Sequence, residues 1–179
     1  RVQLKALSKS FGKVVALKRL LDSRVKARTL FEQEFSLLSQ LRHPRIIGVY
    51  DFGVDEEGPF YTMELLDGGD LSKVAPLPYR EACKHLRDIA SSLALLHARR
   101  MIHRDVTPRN VRFGADGRCK LIDFGGVTAF GVPPGLVGTP ACIPPEAFYG
   151  MPLDQRADLY ALGAVAYFLL TGRHAYHVR

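Results

Sequence analysis

The chain has 179 residues, 47% of them hydrophobic and 24% charged, enough apolar material for one sizeable domain or for two small lobes sharing a cleft, which excludes a disordered polymer. The formal charge of +7 comes mostly from arginines scattered singly, which reads as a solvated surface and not as a nucleic-acid patch. Cys83, Cys119 and Cys142 are odd in number and form no CxxC pair, so neither a disulfide framework nor a zinc site is expected, and a reduced, cytoplasmic setting follows.

In chain order, Val14–Leu20 is a short apolar run rich in β-branched residues and predicts a strand. From about Val25 to Leu41 the period becomes helical, with Leu30, Leu37, Leu38 and Leu41 on one face and Glu34 on that same face. A carboxylate there needs a partner or must sit at the edge of the stripe in solvent; Lys18, at the end of the preceding strand, is a candidate partner. His43-Pro44 stops the helix. Ile46–Phe52 and Pro59–Leu65, flanking Asp55-Glu56-Glu57-Gly58, predict an antiparallel hairpin.

Tyr79–Ala98 is the best amphipathic helix, with Ala82, Leu86, Ile89, Leu93 and Leu96 on one face. Cys83 and His85 on it read as structural or surface residues. Asp154–Thr171 is a second helix, apolar on nearly every side and closed by Gly172, which predicts a place in the centre of a lobe. Its apolar run, Leu159–Leu170, is shorter than the roughly 20 residues of a membrane span, and the start of the chain has no signal-peptide pattern. Asp158 is an acid entering the core or, alternatively, an exposed acid at a helix N-terminus.

Between these helices lie His103-Arg104-Asp105-Val106-Thr107-Pro108-Arg109-Asn110 and Leu121-Ile122-Asp123-Phe124-Gly125. Metal-assisted phosphoryl transfer asks for one acid to accept the proton of an attacking hydroxyl, and for an acid and an amide to hold magnesium against nucleotide phosphates. Asp105 fits the first role; Asn110 and Asp123 fit the second, as metal ligands.

The two segments resemble the H-R-D-x-x-x-x-N and D-F-G motifs of the eukaryotic-like (Hanks-type) protein kinases, in the family's order. Val15-Ala16-Leu17-Lys18 is similar to the family's V-A-I-K strand, and Glu34 to the helix glutamate that pairs with its lysine. The resemblance implies an α+β, two-lobed kinase fold, with an N-lobe over 1–65 and a mainly helical C-lobe over 66–179. ATP and Mg2+ would lie between them. On that implication Ala16, Lys18, Met63, Glu64, Leu66, Asp70, Asn110 and Asp123 bind the nucleotide and its metal. Lys18 holds the α- and β-phosphates, Met63 is the gatekeeper, Glu64 and Leu66 offer backbone groups to adenine, and Asp70 reaches the ribose. Leu38, Val49, His103 and Phe124 form a stacked spine, and Asp158 accepts N–H bonds from the catalytic loop.

The implied activity is transfer of the ATP γ-phosphoryl group to a protein hydroxyl, with Asp105, Lys18, Glu34, Arg109 and Thr139 as the catalytic set. Four departures qualify it. Thr107 stands where the family has a lysine, and Arg109, as in tyrosine kinases, is the cation left to meet the γ-phosphate; Gly138-Thr139-Pro140 nonetheless resembles the serine/threonine group, with Thr139 contacting Asp105. Arg112 replaces the apolar floor under adenine. The middle of the activation segment, Val132–Val137, has no hydroxyl to phosphorylate, which implies constitutive competence or control by attached regulatory domains. Finally, no GxGxxG precedes Lys18, and nothing after Tyr176 matches the last helices, so the resemblance is to a kinase domain truncated at both ends. Its style is that of bacterial serine/threonine kinases, acting on a protein substrate. A pseudokinase that binds nucleotide or serves as a scaffold is the alternative, and a small-molecule phosphotransferase a further one.

Overall fold

A computed structural model describes residues 2–10, 13–22 and 24–176. Strands β1 (Val2–Ser10), β2 (Lys13–Leu20), β3 (Val49–Asp55) and β4 (Gly58–Glu64) form an antiparallel sheet in the order β1-β2-β4-β3. β2 lies inside the sheet, and every residue from Val15 to Leu20 is buried, which accounts for an apolar run without alternation.

Helix α1 (Val25–Gln40) covers this sheet. Phe31 packs on Tyr61 with ring centroids 5.0 Å apart, and Phe35 on Phe52 at 5.4 Å. Its buried line is Phe31, Glu34 and Leu38, one helical face at spacings of three and four. Leu30, expected on that face, is 51% exposed. The aromatic side chains set the docking angle, and Leu30, about 100° round the helix from Phe31, is turned outward.

The β3–β4 hairpin begins later than the apolar run suggested. Ile46 forms a parallel bridge to Leu121, and Ile47 N–H bonds the Leu121 carbonyl at 3.1 Å. Both isoleucines are buried, so their hydrophobicity reflects a junction with the second half of the chain and not a strand face.

That second half is built on α2 (Tyr79–Ala98), whose buried line includes Ala82, Ile89, Leu93 and Leu96, and on α4 (Gln155–Thr171), which packs against it. Between them run β5 (Met101–Ile102), the ribbon β6 (Val111–Phe113) and β7 (Cys119–Leu121), β8 (Thr128–Ala129) paired with β5, and the short α3 (Pro145–Phe148). Asp154 caps α4 by accepting the Arg156 N–H, and Gly172 closes it at φ 72°. α4 is not wrapped on all sides as its composition suggested. Ala157, Asp158, Ala161, Val165 and Leu169 are buried, while Leu159, Tyr167 and Leu170 are exposed. Burial pushes the thiols of Cys119 and Cys142 up to about 12 and about 11, so neither is a nucleophile at neutral pH.

Candidate active site

Lys18 reaches the site from β2 and Glu34 from α1, and both are buried. The Lys18 Nζ donates to Glu34 Oε1 at 2.7 Å and Oε2 at 2.9 Å, and to Asp123 Oδ1 at 3.2 Å. Glu34 Oε1 also accepts the Phe124 N–H at 3.0 Å. The buried carboxylate is thus paired and hydrogen-bonded, which its burial requires. Asp123 takes a left-handed φ of 61°, uncommon outside glycine, asparagine and aspartate. Its side chain is half exposed.

Asp105 follows β5. Its Oδ1 accepts from Thr139 N–H at 2.9 Å and Thr139 Oγ at 3.1 Å, and its Oδ2 from Asn110 Nδ2 at 2.7 Å. Asn110 Nδ2 also donates to the Asp105 carbonyl at 2.9 Å, and among the described residues the amide oxygen has no hydrogen-bond partner. Thr107 is buried, and its hydroxyl caps the turn at Pro108–Asn110 by accepting the Asn110 N–H.

The loop carrying Asp105 is fixed from below by Asp158. Its fully buried carboxylate accepts N–H bonds from His103 and Arg104, each at 2.9 Å, and lies 2.8 Å from His97 Nε2. Arg104 holds φ 71°, so the loop turns sharply on this anchor. His103 is fully buried with its ring edge-on to Phe124, centroids 4.9 Å apart. Its Nδ1 accepts the Asp105 N–H at 3.3 Å, which leaves the proton on Nε2. Desolvation holds this imidazole below its ordinary value of 6.5 despite nearby carboxylates, so it is neutral at pH 7. Gly138 has φ 124°, and a Cβ there would stand 2.7 Å from the Arg104 carbonyl. Only glycine lets the segment carrying Thr139 approach this closely.

Lys18, Met63, Asp70, Arg109, Asn110, Arg112 and Asp123 line one cavity of about 410 Å3. A second, of about 380 Å3, is lined by Ser72, Thr107, Arg109 and Thr139 among others; Arg109 belongs to both. Of the other expected nucleotide-binding residues, Ala16 is buried opposite Met63 in the sheet and does not line the first cavity. Asp70 caps the turn at Leu71–Lys73 with its carboxylate. Glu64 turns its side chain to Lys120, whose Nζ meets both oxygens at 2.7 Å, and its Oε2 accepts the Gly48 N–H. The Leu66 carbonyl accepts from Arg112 Nε at 3.1 Å.

Sequence reasoning missed three contributors: His97, Lys120, and the bond from Arg112 to the Leu66 carbonyl, on the linker that joins β4 to the helical part. His97 continues the buried face of α2 one turn beyond Leu93, a visible signal. The other two depend on a cross-strand register that no local pattern carries.

A fold with a four-stranded sheet and one helix on one side of a cavity, mainly helical structure on the other, and a lysine–glutamate pair meeting an aspartate between them is that of the protein kinases, and a family profile for the protein kinase domain matches residues 2–179. The chain belongs to that family. Among its relatives is the serine/threonine-protein kinase PknL of Mycobacterium tuberculosis, 36% identical over 174 residues, covering 88% of this chain and 43% of PknL. Another is the DNA damage-responsive serine/threonine-protein kinase RqkA of Deinococcus radiodurans, 36% identical over 178 residues, covering 90% and 26%. The serine/threonine-protein kinase Aurora-1 of Arabidopsis thaliana is 32% identical over 175 residues, covering 93% and 60%. The chain thus spans less than half the length of the two bacterial relatives.

Proposed function

We propose that the protein transfers the γ-phosphoryl group of ATP to a serine or threonine hydroxyl of a protein substrate. The observation that carries this is the pairing of Lys18 with Glu34 and Asp123 on one cavity while Asp105, held by Asn110 and Thr139, stands beside it. The names of the relatives support the same reading. On it, residues 1–65 and 66–179 are the two lobes, and the cavity between them is the nucleotide site.

The donors available for a metal are oxygens: the half-exposed Asp123 carboxylate and the Asn110 Oδ1. No cluster of three or more acidic, histidine or cysteine ligands occurs among the described residues. That set fits magnesium, a hard cation that uses one or two protein oxygens and completes its shell with phosphates and water. Bound there, the ion would neutralise phosphate charge.

Lys18, held by Glu34, orients the α- and β-phosphates. Asp105 keeps the acceptor hydroxyl in line and takes its proton at a carboxylate oxygen. The Thr139 hydroxyl and the Asn110 amide fix the Asp105 rotamer, so little reorganisation is left for the reacting state. Thr107 is buried as a cap and offers no cation; exposed Arg109, on the wall shared by both cavities, meets the γ-phosphate. The guanidinium of Arg104 bonds the Gly135 carbonyl in the activation segment, a neutral stand-in for the phosphate that an arginine at this place could bind. We read the site as competent without that modification or as controlled by regulatory domains attached elsewhere in the protein, in a cytoplasmic setting.

Two measurements test this. Phosphoamino-acid analysis of a phosphorylated substrate should give phosphoserine or phosphothreonine, and phosphotyrosine alone would remove the specificity. ATP affinity should rise with magnesium in the wild type and lose that dependence in Asp123→Ala; a dependence kept in full by the variant would take Asp123 out of the metal site.

A further inference from the structure

Tyr61 stands directly opposite Lys18 where β4 pairs with β2, so both side chains leave the sheet on one face. At 1% exposure it is among the largest side chains wholly enclosed by the protein. Its ring meets two groups of different kind. One is the pair of rings from α1, Phe31 and Phe35, with centroids 5.0 and 5.6 Å away. The other is the Lys18 ammonium, which lies over the Tyr61 ring 5.7 Å from its centroid.

Core filling accounts for the first contact, and another large apolar side chain would serve it. It does not account for the second. Lys18 is buried, and an ammonium taken out of water needs compensation. Its hydrogen bonds go to Glu34 and Asp123; the π face of Tyr61 adds an attraction that uses none of those acceptors. Burial, reinforced by the charges of Glu34 and Asp123, pushes the Tyr61 phenol well above its ordinary value of 10. The ring is therefore neutral at working pH and meets the cation through its quadrupole.

One of the lysine's contacts must change during the proposed reaction. Asp123 turns to the metal and Lys18 to the phosphates, so the hydrogen bond between them is given up, whereas attraction to a ring face follows the charge and survives the exchange. Tyr61 is the one aromatic side chain among the described residues that line the nucleotide cavity. Phe31 and Phe35 flank Glu34 on α1, so a ring packed on both also senses how the partner of Lys18 is seated. We propose that Tyr61 is a positioning residue for phosphoryl transfer, whose ring face keeps the Lys18 ammonium aimed at the nucleotide phosphates while Phe31 and Phe35 fix that ring to α1. The inference rests on the reading of this cavity as a nucleotide site, and it extends that reading to the residue that aims the lysine.

Affinities for ATP and for adenosine, measured by displacement of a fluorescent ADP analogue, are compared in the wild type, Tyr61→Phe, Tyr61→Leu, Lys18→Met and Lys18→Met/Tyr61→Leu. Adenosine is the control, because it has the base without phosphates for Lys18 to meet. Tyr61→Leu should weaken ATP about five- to thirtyfold, the range a desolvated cation–π contact supplies, and leave adenosine within about twofold. Tyr61→Phe, which keeps the π face, should stay within about twofold of the wild type for both. In the Lys18→Met background Tyr61→Leu should weaken ATP no further, because the cation is gone. Equal losses for ATP and adenosine would make the ring ordinary core, and a loss in Tyr61→Phe as large as in Tyr61→Leu would assign the effect to the hydroxyl. Either result overturns the inference, as would an undiminished loss in the Lys18→Met background or wild-type ATP affinity in Tyr61→Leu. If Tyr61→Leu does not fold, a fluorinated phenylalanine at position 61 decides instead, since it keeps the ring shape and withdraws negative charge from the face; ATP binding as tight as in Tyr61→Phe would then overturn the inference. Wild type that binds neither the analogue nor ATP would remove the nucleotide reading itself, a failure distinct from wild-type binding that the variants leave unchanged.

Discussion

Lys18 has three protons to donate, and the structure directs them to carboxylate oxygens of Glu34 and Asp123. A buried pair of this kind contributes little net stability over an apolar pair of the same shape, but breaking it leaves an orphaned charge. Glu34→Ala should therefore cost about 3–5 kcal/mol, whereas the double variant Lys18→Met/Glu34→Leu should recover most of that loss. Urea denaturation of both variants tests this, and equal loss in single and double variants would argue against a coupled pair. On the proposed function the double variant should nevertheless be inactive, because Lys18 is then the phosphate contact it lacks.

His103 makes a second, pH-dependent prediction. Its folded pKa lies below the ordinary 6.5 because burial disfavours the cation, so below about pH 6.5 the unfolded chain binds the extra proton and stability falls. Above that pH both states are neutral and the residue contributes no pH dependence. Melting temperature measured between pH 7.5 and 5.5 should fall, and His103→Phe should fall less. A remainder will persist, since burial also lowers His43 and His85. At this scale the sequence was most readable where a side chain needs a partner: Lys18 meets Glu34 and Asp123, and Asn110 meets Asp105, as the motifs led one to expect. It was least readable where backbone atoms act. The Leu66 carbonyl leaves no side-chain signature, and Ala16, expected among the nucleotide-binding residues, is buried off the cavity wall.

Among the elements, α2 has the bounds its amphipathic pattern gave, Tyr79–Ala98, because one continuous face is buried along its length, against α4, β5 and β7. α1 and α4 are less faithful to their patterns. A leucine count placed the α1 face near Leu30, whereas stacking of Phe31 and Phe35 on the sheet turned it, and the apolar composition of α4 concealed an exposed side bearing Leu159, Tyr167 and Leu170. α4 supplies Asp158, which ties three donors from two other segments. Asp158→Ala orphans all of them and should destabilise the protein by about 2–4 kcal/mol, with hydrogen exchange at the Arg104 amide rising before that of the α2 core; unchanged melting and exchange would show that the anchor is dispensable. In the segment before α3, Gly138→Ala places a Cβ against the Arg104 carbonyl. The expected result is loss of the Thr139–Asp105 contact and about a tenfold or greater fall in kcat with the global fold retained, read by kinetics beside circular dichroism.

Over the whole molecule, the ribbon, the linker and the loop at Ile46 and Ile47 join the sheet to the helical part through hydrogen bonds whose partners lie tens of residues apart in sequence. Such joints are invisible to local periodicity, and only the paired motifs disclosed that the two parts share a site. The contact of Arg104 with the Gly135 carbonyl carries a regulatory consequence. Protein expressed without any kinase partner and treated with phosphatase should keep its activity, and mass spectrometry finding a stoichiometric activating phosphate on Thr128 would contradict this. The central claim, that Asp105 receives the proton of an acceptor hydroxyl, is tested most directly by single-turnover transfer of radiolabelled phosphate from ATP to a protein substrate by wild type and Asp105→Asn. The account predicts measurable transfer by the wild type and a loss of about a hundred- to ten-thousandfold in the variant, with ATP affinity little changed. Equal transfer by the two proteins would contradict it.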